Sequence, residues 1–228
     1  MLCPLRHPRK SVTEGIAVLG GTGPEGLGIA ARLAAAGEHV IVGSRQVIRA
    51  TAAASTLTRE IAGGRLLGAS NRDAAAVAGI VFVAVPLAGV AGILDECAEQ
   101  LAGKIVVEVV NALHPVDGQL RAVETPDGLV ARRIAARAPS ARVVSGFKHT
   151  SAAHLRDVGR RLEGDVLLCG DDAAAKTSVA DLVRRMPDLR PIDVGSLSAA
   201  PLLDQLTALL LSINRRHHTE TSIRIVGL

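Results

Sequence analysis

Gly21-Thr22-Gly23-Pro24-Glu25-Gly26 forms a GxGxxG run, a spacing that cradles phosphates when it joins a strand to a helix and means little elsewhere. Here the apolar stretch Gly15-Ile16-Ala17-Val18-Leu19 precedes it. A helical pattern over 24–36 follows, with Pro24 at the first position, where a missing N–H is no loss. In that setting Gly21 permits the tight turn, Gly23 lets the backbone approach a pyrophosphate, and Gly26 lets the helix lie close on the strand. The free N–H groups at the helix start then face the phosphates. The run is expected to bind a dinucleotide.

The end of the second strand selects the dinucleotide. A site for NAD carries an acid there for the ribose 2′-OH, whereas this chain has Gly43-Ser44-Arg45, with Arg49 one helical turn later. A hydroxyl and two guanidinium groups bind a 2′-phosphate through charge-assisted hydrogen bonds, and a carboxylate would repel it. The expected cofactor is NADP.

A dehydrogenase of alcohols or carbonyls also needs an acid or base near the nicotinamide. The candidates are His114, Lys148, His149 and His154, and no dyad stands out among them. Thr22 to Gly28 also reads as TGxxGxG, which resembles the short-chain dehydrogenases, but those use a Tyr with a Lys and this chain has no Tyr. The scarcity of acid–base groups suits a second redox cofactor as the partner, since the protein then only binds and orients the two. No metal site is expected.

These residues need a scaffold, and apolar strands alternate with helical patterns nearly throughout. Strands are expected at 15–19, 39–42, 65–68, 80–85, 105–109, 141–145, 164–169 and 189–194, with an Ala-rich helix over 46–62. The alternation predicts a Rossmann-type, doubly wound, mostly parallel α/β sheet with a small C-terminal α/β lobe. The expected division is a tail at 1–13, an NADP-binding domain at 14–150 and a lobe at 151–228, packed as one unit. Residues 111–128, with His114-Pro115 and Pro126-Asp127-Gly128, read as a long loop. Asp171-Asp172 reads as a helix cap. The last helix, 196–216, is apolar around most of its circumference and is expected to be buried, in part against a second subunit.

Composition bounds the partners. Of 228 residues, 48% are hydrophobic and 21% charged, as in an ordinary globular chain, and the net charge is +4. The arginines are scattered, and the only aromatics are Phe82 and Phe147. Neither a basic stripe nor a stacking platform for nucleic acid is therefore expected. Residues 74–94 are long and apolar enough to suggest a membrane span. However, Gly79 and Pro86 divide them around the β-branched run Ile80 to Val85, so a buried strand between two helices is expected instead. Cys3, Cys97 and Cys169 stand far apart, as in a reduced, cytoplasmic protein.

Further segments carry a resemblance. Val18-Leu19-Gly20-Gly21-Thr22-Gly23, Val42-Gly43-Ser44-Arg45 and Val144-Ser145-Gly146-Phe147-Lys148-His149 resemble the NADPH-dependent coenzyme F420 reductases, or deazaflavin:NADP oxidoreductases. So do Leu168-Cys169-Gly170-Asp171-Asp172, Leu189-Arg190-Pro191-Ile192-Asp193-Val194-Gly195, and Leu206-Thr207 with Leu209-Leu210-Leu211. The likeness covers about residues 15 to 228, although the family more often has His-His where Lys148-His149 stands. It implies a hydride transfer between NADP(H) and coenzyme F420, the two rings stacked, in an oligomer expected to be a homodimer. By resemblance, Thr22, Gly23, Pro24, Glu25, Ser44, Arg45 and Arg49 hold the adenosine phosphates. Val85, Pro86, Leu87, Asn111 and Ala152 border the nicotinamide. Lys148, His149, Thr150, Ser151, Thr207 and Ser222 meet the deazaflavin. Lys148 and His149 are the expected catalytic pair, a cation and a proton donor for the negative charge that develops on the ring. The same scaffold also admits an NADP-dependent reductase of an imine or ketone, or a non-enzymatic NADP-binding protein.

Overall fold

β-branched runs too short for helices become strands, and the Ala-rich stretches between them wind back as helices. The computed structural model describes residues 15–123 and 129–228. The first half runs β1 (Gly15–Leu19), α1 (Pro24–Ala35), β2 (His39–Ser44), α2 (Val47–Glu60), β3 (Arg65–Ser70), α3 (Asn71–Val77), β4 (Ala78–Val83), α4 (Val90–Leu101) and β5 (Ile105–Glu108). The second half runs β6 (Leu113–Val116), β7 (Gln119–Ala122), α5 (Val130–Arg137), β8 (Arg142–Ser145), α6 (Ala152–Arg156), β9 (Gly164–Gly170), α7 (Ala173–Arg184), β10 (Leu189–Asp193) and α8 (Ala200–His217).

Eight strands form one sheet in the order β10-β9-β8-β5-β4-β1-β2-β3. All neighbours are parallel except β8 and β9, which meet antiparallel with Val144 opposite Gly170 and Ser145 opposite Cys169. The strands of the C-terminal segment thus extend the same sheet. Period-two alternation splits the core between its faces. Ile16, Val18 and Phe82 pack beneath residues of α1, α2 and α7, whereas Ala17, Leu19, Val81 and Val83 pack against α3, α4 and α5. Phe82 and Phe147 meet edge to face at 5.7 Å, a favoured aromatic geometry. Residues 74–94 supply the end of α3, all of β4 at mid-sheet and the start of α4.

Three expectations change. The 111–128 stretch is not simply a loop: Leu113–Val116 and Gln119–Ala122 pair as an antiparallel hairpin that contacts α8. Its Pro126-Asp127-Gly128, like the 1–13 tail and Cys3, lies outside the described residues. Of the two expected caps, only Asp172 accepts from α7, through the Ala175 N–H at 2.7 Å, while Asp171 accepts from Leu197 N–H at 2.9 Å in the turn before α8. And α8 is buried on one side only. Ala200, Leu203, Thr207 and Leu210 face inward, while Leu202 and Leu209 remain 62% and 57% exposed. With its preceding turn this helix spans Leu197–His217 and is, by length and composition alone, apolar enough to cross a membrane.

Helix α6 is held by one side chain. Arg32 of α1, buried, donates to the carbonyls of His154 at 2.8 Å, Leu155 at 2.9 Å, Val158 at 3.3 Å and Arg160 at 2.9 Å, and to that of Asp157. The guanidinium thereby satisfies carbonyls that the end of a short helix leaves free. Gly28 allows the approach, since a Cβ there would lie 2.7 Å from that of Leu155. Arg32→Met should therefore lower unfolding free energy by about 3 kcal/mol or more, as read by urea denaturation, and should first expose the 152–160 amides to hydrogen exchange.

Candidate functional site

The phosphate loop follows from close packing. Gly20 has φ +72, and a Cβ there would lie 2.7 Å from the Ala84 carbonyl oxygen and from Val85 Cγ1. At Gly26 a Cβ would lie 2.7 Å from the Gly20 oxygen and the Gly21 Cα. Gly23 differs, because its Cβ would meet only the Gly20 oxygen at an ordinary 3.5 Å. No protein atom requires glycine at that position, as expected where a ligand backbone comes close. The Glu25 and Gly26 amides, in the first turn of α1, have no acceptor among the described residues. Asn71, which sequence reasoning missed, steadies the loop from below by accepting from Gly20 N–H at 3.2 Å. Its only signal was a polar residue beside the Ser70 cap.

At the end of β2, Ser44 is buried and its Oγ accepts from Gln46 N–H at 3.2 Å. Arg45 and Arg49 are exposed, and neither side chain donates to any protein group among the described residues. With no acid at the strand end, this corner fits an adenosine 2′-phosphate. Together with the loop, the residues fit NADP.

Beside the loop lies a cavity of about 480 Å³. Around it the fold brings together Glu25, Asn111, Lys148, His149, Thr150, Ser151, Ala152 and Thr207. Ser222 instead lines a neighbouring cavity of about 270 Å³ with His154, Arg160 and Arg161, and its hydroxyl donates to the Glu163 carbonyl at 2.6 Å. His149, Thr150 and Ser151 border both. Between the cavities Glu220 accepts from Ser151 and pairs with His154 at 3.2 Å. Val85, Pro86 and Leu87 follow β4 and line neither cavity.

The buried charges differ from expectation. Lys148 offers no free cation: its Nζ donates to the Val110 carbonyl at 2.8 Å and lies 2.9 Å from Asp204 Oδ1 and 3.1 Å from Glu108 Oε2. Glu108 also accepts from Val110 N–H at 2.7 Å and Ser145 Oγ–H at 2.8 Å. Burial opposes the Lys148 charge, but the two carboxyls outweigh it and hold its pKa above the ordinary value, while burial pushes both carboxyls up. Its partners were missed because they stand far off in the chain, although Asp204 is the one acid within an otherwise apolar helical run.

His149 is buried too, and burial lowers its pKa. Its Nε2 lies 2.8 Å from the Asp165 carbonyl, which can only accept, so the ring proton sits on Nε2. Nδ1 is then an acceptor, not the expected donor, and it has no partner. Asn111 donates through Nδ2 to the Lys148 carbonyl at 2.8 Å, which turns its unpartnered Oδ1 the other way. Glu25 is partly buried: its Oε1 is enclosed and has no partner, and burial pushes the carboxyl up to about 8. These three atoms are the buried side-chain polar atoms without a partner among the described residues, and all three residues line the one cavity. Buried polar groups left unpaired are costly unless a ligand or water completes them.

Comparison with known proteins agrees. Residues 15–112 match the family described as NADP oxidoreductase, coenzyme F420-dependent. The F420-dependent NADP reductase of Methanocaldococcus jannaschii is 34% identical over 93% of this chain and 98% of its own. That of Methanothermobacter thermautotrophicus is 36% identical over 93% and 95%. A crystal structure from Arthrobacter sp. FB24, assigned to the F420-dependent NADP reductases, superposes with a TM-score of 0.77 at 30% identity, covering 93% of this chain and all of that one.

Removing either partner of a buried ion pair strands the other, at about 3–5 kcal/mol. Lys148→Met and Asp204→Leu should each destabilise on that scale. In a double-mutant cycle read by urea unfolding, the pair should cost at least about 1 kcal/mol less than the two singly summed.

Proposed function

The chain belongs to the family of coenzyme F420-dependent NADP oxidoreductases, and from that membership we propose how its own residues serve the reaction. The activity is hydride transfer between NADP(H) and the deazaflavin coenzyme F420. Both rings carry their own redox chemistry, so the protein has to bind, orient and exclude water. In the proposed arrangement the Thr22–Gly26 loop takes the diphosphate, and Ser44, Arg45 and Arg49 take the 2′-phosphate. The nicotinamide lies between the Val85-Pro86-Leu87 turn and Asn111. The deazaflavin fills the larger cavity against Lys148, His149, Thr150, Ser151 and Thr207, with Ala152 at its border with the nicotinamide and the Ser222 tail nearby.

One observation carries this reading: three residues that each hold an enclosed polar atom without a partner line a single cavity beside the phosphate loop. In this arrangement Lys148 is a positioning residue. Its charge is spent on Glu108 and Asp204, and its carbonyl orients Asn111. His149 offers a fixed acceptor to the polar edge of a ring.

The second subunit is part of the same proposal. Leu202 and Leu209, seven residues apart on one stripe of α8, lie exposed, and a monomer rarely leaves a contiguous apolar patch of much more than a few hundred Å² uncovered. A homodimer covering this face is proposed. The cytoplasm is the proposed compartment, where the buried thiols Cys97 and Cys169 remain free. A nucleic-acid or membrane partner forms no part of this reading.

Three measurements test it. Protein mixed with NADPH and coenzyme F420 should bleach the visible absorbance of the oxidised deazaflavin, and absence of bleaching with NADPH consumed by an imine or ketone would reject the substrate. Arg45→Ala should weaken NADP binding by about 10- to 150-fold, the value of a charged hydrogen bond, with NAD binding little changed. Light scattering at micromolar concentration should give a dimer mass that Leu202→Glu or Leu209→Glu reduces to a monomer. A monomeric unmodified chain would reject the dimer.

A further inference from the structure

Of the three enclosed, unpartnered atoms on residues that line the larger cavity, two are fixed acceptors. Asn111 Oδ1 is held so by the bond from its own Nδ2 to the Lys148 carbonyl, and His149 Nδ1 by the bond from Nε2 to the Asp165 carbonyl. Glu25 Oε1 is the third, and a carboxyl donates only when it carries a proton. Glu25 stands in the first turn of α1, between Gly23 and Gly26 in the chain, and lines the cavity. Amides of that turn favour one anion, and a diphosphate is the anion that such a loop takes. A second negative charge on a carboxyl with one oxygen enclosed and unpartnered is opposed by that burial and by the diphosphate together.

We propose that Glu25 is a proton-bearing contact of the dinucleotide site: NADP binds the neutral carboxyl, so that cofactor and one proton are taken up together. The inference rests on the NADP reading above. No covalent bond changes. The ionised free protein plus one proton plus NADP gives the complex with Glu25 protonated and donating. Glu25 is then a residue that sets how cofactor affinity depends on pH.

Burial alone places the free carboxyl at about 8. The sign follows from that direction. Below this value the carboxyl is already neutral and affinity is flat. Above it each unit of pH removes about a tenfold share of the competent form. Other ionisable groups around the cavity are Lys148, with Glu108 and Asp204 behind it, His149 and Glu220. His149 is shifted down and Lys148 up, both away from the range between pH 7 and pH 9, and Glu220 is engaged by Ser151 and His154.

The test is calorimetric titration of the full chain with oxidised NADP at pH 7 and pH 9, repeated at pH 8.5 in two buffers of different ionisation enthalpy. Dissociation constants should rise about tenfold from pH 7 to pH 9, and about 0.8 proton should be taken up at pH 8.5. Glu25→Gln keeps a neutral donor in place and should bind with no proton uptake and no such pH dependence. Equal affinity of the unmodified protein at the two pH values, or the same pH dependence in both proteins, overturns the proposal. Failure to bind NADP at pH 7 would overturn the cofactor reading and this inference with it.

Discussion

A lysine ammonium enclosed between two carboxyls fixes the relation of three parts of the molecule. Glu108 ends β5, Lys148 follows β8, and Asp204 belongs to α8. Such a cluster is worth little to stability compared with an apolar filling of the same volume. Its geometry, however, is demanding, because an ammonium in a low-dielectric interior tolerates few alternatives. The chain between β8 and α6 is bent to meet it. Phe147 adopts a left-handed φ of 61, a conformation that costs a bulky residue about 1–3 kcal/mol. The ring of Phe147 is fully buried against Phe82, and this contact holds the bend in place. The next two side chains then depart in fixed directions, Lys148 into the ion cluster and His149 toward Asp165.

Asp165 couples that bend to the end of the chain. Its carbonyl faces His149, while its carboxylate accepts from Arg190 at 2.7 and 2.9 Å and from Ile225 N–H at 2.6 Å. Hydrogen bonds from Arg190 hold this carboxyl below the usual aspartate range. Arg190 in turn donates to the carbonyls of Ile225 and Leu228. The 219–228 segment is thereby laid along β9, and Glu220 arrives between the two cavities. One side of the site is consequently built from the final ten residues, which contain no regular secondary structure.

The phosphate loop, the parallel strands and the basic corner at Ser44 and Arg45 were legible because each leaves its mark in a short stretch of chain, even where its packing partners lie far off. Glycine spacing, strand periodicity and a missing acid are local facts. The hairpin at 113–122 was not, since His114-Pro115 within so short a strand carries a turn signal and no alternation. Lys148 was singled out for its charge, yet that charge depends on acids 40 and 56 positions away, a pairing that spacing cannot reveal. Leucines on α8 suggested burial all round, whereas the sheet covers one stripe only. A count of apolar residues on a helix does not say how much neighbouring surface exists to receive them.

The junction of β8 and β9 has a bearing on motion. Chains that bind two ligands between lobes often open by rotating one lobe about a linker, and the ligands enter through the gap. Here Val144 and Ser145 are laddered to Gly170 and Cys169 within an unbroken eight-stranded sheet. A rotation at that line would shear backbone hydrogen bonds in the middle of the core. The sheet therefore runs unbroken past that line, and other elements lie on it rather than in it. The five-residue α6 and the terminal segment carrying Glu220 are those elements over the cavities. The continuous sheet leaves these two elements, rather than a hinge between lobes, as the parts that border the openings of the cavities.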